Sequence, residues 1–407
     1  AGFKCLTFSA VNFYRSIVIM KKRILFLISN LETGGVSKSM VSLLNTIDRQ
    51  KYEVSLWIAS PHGVLFSQIP KEVKIFSDQR ITALFQGVTG YVYLLKQGCL
   101  LLFLGNLFRM FLTKVSKAWA GRLLAWLMPA IGDGEFDLIV DYNGQQQLYY
   151  MVNKLKGKRK VTFFHSDYSQ WPYYYTADKK YFPKVDAIFT ISPHCVEVLK
   201  EWFPKQADKI HLMENITSPI LVNRLAEESF NNPWREGAVK LVTVGHVTDT
   251  KGSHWAIEAA HILKERGIDV HWAFVGAVSD VPRYAKMIEQ WNLQDNIALL
   301  GITSNPYPYI KSADIFVHPS QFEGKSIALD EAKLLCKPIV VTNFSTVHDQ
   351  FQDGVNGSVC EMNPVAIANA IEMLIRNENL RKKYIGYLKK NGADNTSEID
   401  KIYELID

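Results

Sequence analysis

The sequence predicts an α/β protein of two domains, and three observations carry that prediction. Its 407 residues exceed what a single hydrophobic core usually organises. Short apolar runs alternate with segments of helical periodicity, which in the first half reads as a mainly parallel sheet with helical crossovers. Glycines stand at several strand-to-helix junctions, where a backbone turns sharply or approaches a ligand closely.

Residues 24–28 form an unbroken apolar run and are expected to be the first strand. A helix follows over residues 37–47, with Met40, Val41, Leu44 and Ile47 on one face. Between them lies Asn30-Leu31-Glu32-Thr33-Gly34-Gly35-Val36-Ser37, which puts Gly34 and Gly35 at a helix N-terminus, a place that favours an anion. The spacing is not G-x-G-x-x-G, so no dinucleotide site is indicated. Turn chemistry alone would also explain the pair. Further strands are expected at 52–59, 137–141, 160–164 and 186–191.

His165 comes directly after the strand at 160–164, at the ligand edge of an open parallel sheet. Taken alone, a single histidine is more often structural or incidental. Asp167 reads either as a group touching an acceptor or as a turn cap, and Ser192-Pro193 reads as a structural turn. Residues 214–233 carry turn and breaker residues without sustained periodicity, and the interdomain linker is placed there.

The second half opens with a strand at 239–244, then Gly245-His246-Val247-Thr248-Asp249-Thr250-Lys251-Gly252, then a helix at 253–266. A lysine beside a glycine before a helix can put a mobile positive charge on a diphosphate, although a solvated lysine at a turn has the same signature. Strands at 270–275 and 297–300 follow, and each ends at a glycine. Tyr307 and Tyr309 read as core aromatics near the next strand, with stacking on a ligand as the other option. Helices at 365–376 and 379–391 and a charged stretch at 397–407 close the chain.

The most informative stretch is Gln321-Phe322-Glu323-Gly324-Lys325-Ser326-Ile327-Ala328-Leu329-Asp330-Glu331-Ala332. An apolar strand at 313–320 precedes it, and another at 338–342 follows. Gly324 and Ser326 allow a tight turn with outward N–H groups, and residues 327–335 read as the helix after it. Glu323 and Glu331 then reach different parts of one ligand, with room for a diphosphate between them. A capped surface helix with solvated acids would share the bare spacing.

These segments together resemble the signature of the family 4 (group 1) glycosyltransferases, retaining nucleotide-sugar enzymes of the GT-B fold. Glu323 and Glu331 match both ends of that family's E-x7-E motif. The resemblance covers most of residues 21–390, strongly in the second half and weakly between 80 and 135. It implies two Rossmann-like domains facing each other across a cleft. Residues 20–215 would be the acceptor-side domain, 216–385 the nucleotide-sugar domain, and 386–407 a terminal helix crossing back to the first.

The resemblance also implies a reaction. A sugar would pass from a nucleoside diphosphate, UDP favoured, to a hydroxyl of a saccharide or lipid-linked saccharide, in bacterial cell-surface or capsule polysaccharide assembly. Glu323 and His165 would hold the sugar and Glu331 the ribose. Lys251, with the helix termini and the backbone at Gly324, Lys325, Ser326 and Ile327, would take the diphosphate, and Gly34 and Gly35 would face it across the cleft. His246 stands where the family usually has arginine, and a neutral imidazole cannot replace a fixed guanidinium charge. Attack on the same face, assisted by the donor's own phosphate, is the family's usual description, so Glu323 is not assigned as a nucleophile. No cofactor is expected. No D-x-D occurs in the chain, so no metal requirement is expected either. Two other readings remain: an epimerase or phosphorylase on the same fold, and a catalytically silent GT-B protein that binds glycan or stabilises a partner enzyme.

Composition narrows the setting. A net charge of +6 is too weak and too diffuse to indicate nucleic acid. The five cysteines form no C-x-x-C pair and read as reduced thiols, which fits a cytoplasmic protein. Residues 84–131 contain no acid, and Lys96, Arg109, Lys114, Lys117 and Arg122 interrupt their apolar runs before these are long enough to span a bilayer. They read either as helices resting peripherally on anionic lipid at the inner face of the membrane or as core helices with basic outer faces. Residues 1–19 lack the parts of a signal peptide and are expected to be a non-native or disordered extension before Met20-Lys21-Lys22-Arg23.

Overall fold

The computed structural model describes residues 21–131, 134–170 and 172–406. The extension expected at 1–19 lies outside the described residues. The first sheet contains β1 (Lys22–Ile28), β2 (Tyr52–Ile58), β3 (Lys74–Phe76), β4 (Phe136–Asp141), β5 (Gly157–Phe164), β6 (Ala187–Thr190) and β7 (Ile210–Leu212). Its order is β3-β2-β1-β4-β5-β6-β7, and every pairing is parallel. Around it lie α1 (Gly35–Thr46), α2 (Gln79–Phe85), α3 (Gly87–Lys96), α4 (Leu100–Val115), α5 (Lys117–Leu127), α6 (Gln146–Lys154), α7 (Tyr175–Tyr181) and α8 (Pro193–Trp202).

After α9 (Pro219–Ala226), the second sheet takes β8 (Val239–Val244), β9 (Val270–Val275), β10 (Ile297–Gly301), β11 (Ile315–His318), β12 (Ile339–Thr342) and β13 (Ser358–Cys360). They are ordered β10-β9-β8-β11-β12-β13, again parallel throughout. Its helices are α10 (Ser253–Glu265), α11 (Val281–Gln290), α12 (Tyr307–Ser312), α13 (Ile327–Leu334), α14 (Pro364–Arg376) and α15 (Glu378–Asn391), with a short α16 (Asp400–Tyr403) at the end. Both sheets are therefore Rossmann-like, and each reverses its strand order beside its first strand, between β1 and β4 and between β8 and β11.

Burial on both faces explains why the strands read as continuous apolar runs. In β1, Ile24, Phe26 and Ile28 enter one core, while Leu25 and Leu27 enter the core on the opposite face. Where strands were missed, they are short: β3, β7 and β13 have three residues each, too few to show a period. The linker segment also holds a helix the pattern did not show. Ser218 caps α9 by accepting the Leu221 N–H, and Pro219 occupies its first turn.

The chain's last stretch returns to the first domain. Helix α15 stays with the second domain, where the hydroxyls of Tyr384 and Ser358 lie 3.0 Å apart. Beyond it, Ile399 and Ile402 enter the first core, and Tyr403 stacks on Tyr52 at 4.7 Å while accepting the Asp48 N–H.

Candidate active site

A cavity of about 300 Å³ opens where the carboxyl ends of the two sheets meet. That is the small end of the range for small-molecule sites, about 300–1,000 Å³. Thr33, Gly34, Gly35 and Lys38 line it from the loop after β1 and the start of α1. From the second domain come the segment 243–246, Lys251, Gly276, His318 and the turn 325–328. Both walls are thus the ligand-binding edges of open parallel sheets.

Glu323 is the electrostatic centre. Lys251 Nζ lies 2.7 Å and His318 Nε2 2.8 Å from its Oε1. Burial works against its charge, but the ammonium of Lys251 and the hydrogen bond from His318 outweigh it and hold the carboxyl down at about 2. Glu323 is therefore a fixed anion at any working pH. Its loop is held by Thr346, which donates to the Glu323 carbonyl at 2.8 Å, and by Thr342, which donates to the Ser320 carbonyl at 2.6 Å.

Two glycines bring these segments together. Gly252 has φ +65°, and a Cβ there would lie 1.8 Å from the Pro319 carbonyl oxygen, so only glycine lets the Lys251 loop close on the Glu323 loop. A Cβ on Gly324 would stand 3.1 Å from the Ser166 Cα of the first domain. That close approach is what glycine permits in the E-x7-E turn.

The remaining residues of the expected set are placed as follows. Gly34, Gly35, His246, Lys325, Ser326 and Ile327 line the cavity with Lys251 and Glu323, whereas Gly324, His165 and Glu331 do not line it. The Ser326 N–H is given to Gln350 Oε1 at 3.0 Å, so this donor of the turn is engaged from behind. Lys325 is bonded to Glu214 of the linker and is nearly buried. Asp167 accepts from both the N–H and the hydroxyl of Ser169, the behaviour of a turn cap.

Glu331 is 1 % exposed and joins the two domains. Its oxygens lie 2.9 and 2.7 Å from Lys38 Nζ of α1, and Tyr307 donates its hydroxyl at 2.9 Å. His165, at the end of β5, sets Nδ1 2.9 Å from Asn215 Oδ1, and its buried Nε2 has no partner. With Nδ1–H donated to Asn215, Nε2 is left as the acceptor nitrogen of the ring, while the His165 backbone carbonyl lies close to Gly324. Burial outweighs the Asn215 bond and lowers this histidine to about 4, so it is neutral at pH 7.

That assignment has a pH signature. A histidine harder to protonate when folded stabilises the protein fully above its ordinary value of 6.5 and loses that contribution as pH falls toward 4. Wild type is expected to lose stability more steeply than His165→Asn over that window, by up to about 1.4 kcal/mol per pH unit. Urea melts at stepped pH would show it; parallel slopes would mean that His165 is not buried as the neutral form.

Sequence reasoning missed Lys38, His318, Asn215 and Gln350. A lysine in the first turn of α1 opposes the helix dipole, and that anomaly was a usable signal for a fixed partner. The others come from strand ends, the linker and a 3₁₀ turn, where no pattern marks them.

Residues 226–391 match the family model described as glycosyl transferases group 1. Among curated relatives, a capsular polysaccharide biosynthesis glycosyltransferase of Staphylococcus aureus, CapM, is 26 % identical over 46 % of this chain and 49 % of its own length. A poly(ribitol-phosphate) alpha-N-acetylglucosaminyltransferase of S. aureus strain COL is 29 % identical over 36 % of this chain and 31 % of its own. The chain thus spans about half or less of the curated relatives it matches. Among solved structures, Anabaena Alr3699/HepE in complex with UDP-glucose superposes with a TM-score of 0.65 at 15 % identity, covering 94 % of this chain and 98 % of that one. The fold is GT-B.

Proposed function

We propose that this chain, whose residues 226–391 match the model for glycosyl transferases group 1, transfers a sugar from a UDP-sugar to a hydroxyl acceptor with retention at the anomeric carbon. The acceptor is a saccharide or lipid-linked saccharide, used in building a bacterial cell-surface polysaccharide on the cytoplasmic side. One observation carries the reading: Glu323, paired with Lys251, lines a cavity faced by the Gly34–Gly35 turn of the opposite domain. The names of the relatives and the UDP-glucose complex of the structural neighbour support the substrate class.

In this reading the protein positions two substrates and stabilises charge, and it forms no covalent bond to the sugar. Negative charge grows on the leaving diphosphate. Lys251 and the N-termini of α1 and α13 meet that charge within a partly enclosed cavity, where they act more strongly than in water. Glu323 orients sugar hydroxyls, and Glu331 accepts from the ribose. His165, neutral, accepts a hydrogen bond from a hydroxyl of the transferred sugar and so helps hold it. His246 lines the cavity as a further donor to the diphosphate without supplying arginine's fixed charge.

A thermal-shift panel of UDP, GDP, ADP and CMP tests this first. UDP at a hundred times its Kd would add about 2.7 kcal/mol to stability, several degrees for a protein this size. The absence of a shift with any nucleotide would overturn the donor site. Turnover is expected to persist in chelator; loss restored by manganese would count against metal independence.

A further inference from the structure

Helices α3 to α5 form a surface that neither the cleft nor the core explains. In α4, Leu101, Leu104, Phe108, Phe111 and Val115 are all exposed, Phe108 by 55 %, Phe111 by 61 % and Leu101 by 66 %. At 100° per residue these five, together with Leu100 and Leu107, fall within an arc of about 120°. The opposite side of α4 is held by buried Asn106, which donates to the Leu84 carbonyl at 3.1 Å, and by Gly105, packed against Leu127 of α5. The helix is therefore fixed to the domain by one face and turns an apolar face to water. Monomeric proteins seldom leave so continuous an apolar face open without a use.

The charges at this surface select the partner. No Asp or Glu occurs from residue 84 to 131, while Lys96, Lys114 and Arg122 are exposed among the apolar side chains. Helix α5 exposes Trp119 and Trp126, two turns apart, and the Arg122 guanidinium lies 5.0 Å from the centre of the Trp119 ring. Exposed aliphatic and Phe side chains with flanking Trp and cations, and no acids, match the layered chemistry of a bilayer interface: acyl region, aromatic belt, anionic headgroups. Among the described residues no helix is long and apolar enough to cross a membrane, so the contact this surface offers is peripheral.

We infer that α4 and α5 dock the first domain onto an anionic membrane surface, with α4 lying in the interface plane and its Phe108–Phe111 row entering the acyl boundary. The inference rests on these helices and not on the chemistry of the cleft, and vesicle binding is measured without turnover, so either reading can fail alone.

The test is cosedimentation of the full chain with phosphatidylcholine vesicles made with and without phosphatidylglycerol. Binding is expected on the anionic vesicles and to fall with salt. Lys114→Glu with Arg122→Glu should weaken it about twentyfold or more, and Phe108→Ser with Phe111→Ser at least about tenfold. Because all four side chains are exposed, unchanged melting temperatures would show that the variants fold. Failure of wild type to bind anionic vesicles would overturn the proposal. So would a dimer in solution that the Phe108 and Phe111 changes dissociate, because a second copy would then be the occupant.

Discussion

Replacing Glu323 with alanine is expected to lower kcat by roughly 10²–10³ while leaving UDP affinity within a few fold. The asymmetry follows from what the carboxylate touches. It meets Lys251 and His318 through a single oxygen, Oε1, which leaves Oε2 for the substrate. A sugar hydroxyl held there matters most as charge builds during transfer, whereas UDP alone has no sugar to hold. Losing the carboxylate also frees Lys251, which is 35 % exposed and can swing into water. Stability should therefore fall only through His318, which is buried and loses its Nε2 partner, by about 1–3 kcal/mol. Glu323→Gln separates charge from shape: it keeps the volume and one acceptor but loses the anion that fixes Lys251. An intermediate loss is expected. Transfer within threefold of wild type in the alanine variant would remove Glu323 from the mechanism.

How much of this was legible depended on how local the signal was. The strands around both switch points showed themselves because their residues are buried on two faces, and 321–332 showed itself because a turn, an anion site and a helix start are written in consecutive residues. Lys251 was visible for the same reason, standing beside a glycine at a helix N-terminus. Contacts made by topology were not visible. Lys38 and Glu331 are separated by 293 positions, and only the face-to-face packing of α1 and α13 pairs them. His165 was found at its strand end, but its partner Asn215 belongs to the linker, which the sequence showed only as a region of breakers. The acid-free stretch from 84 to 131 left two readings open, because composition does not say which side of a helix faces the core. In the structure Phe108 and Phe111 are exposed, so this face of α4 is not a core-packing face, and the membrane docking inferred above rests on that exposure.

Lys38→Met is expected to destabilise the protein by about 3–5 kcal/mol, the largest effect on stability that any single pair here should give. Glu331 cannot reach water, and without the ammonium its charge would be left with the Tyr307 hydroxyl alone. Glu331→Gln alone should cost less, because Lys38 is 15 % exposed at the cavity wall and keeps access to solvent. Combining the two should restore most of the loss, as an amide oxygen still accepts from Tyr307 and no charge is stranded. The same variants test the ribose assignment. Glu331 Oε1 already accepts from Lys38 and Tyr307, while Oε2 accepts from Lys38 only. A carboxylate oxygen has two lone pairs, but Glu331 is buried behind Lys38 and does not line the cavity, so a ribose hydroxyl reaches Oε2 only if the Lys38 contact shifts. Lys38→Met should thus melt early yet still shift with UDP, and Glu331→Gln should melt near wild type yet lose most of that shift. The reverse pattern would leave Glu331 as an interdomain tie and put the ribose elsewhere in the cleft.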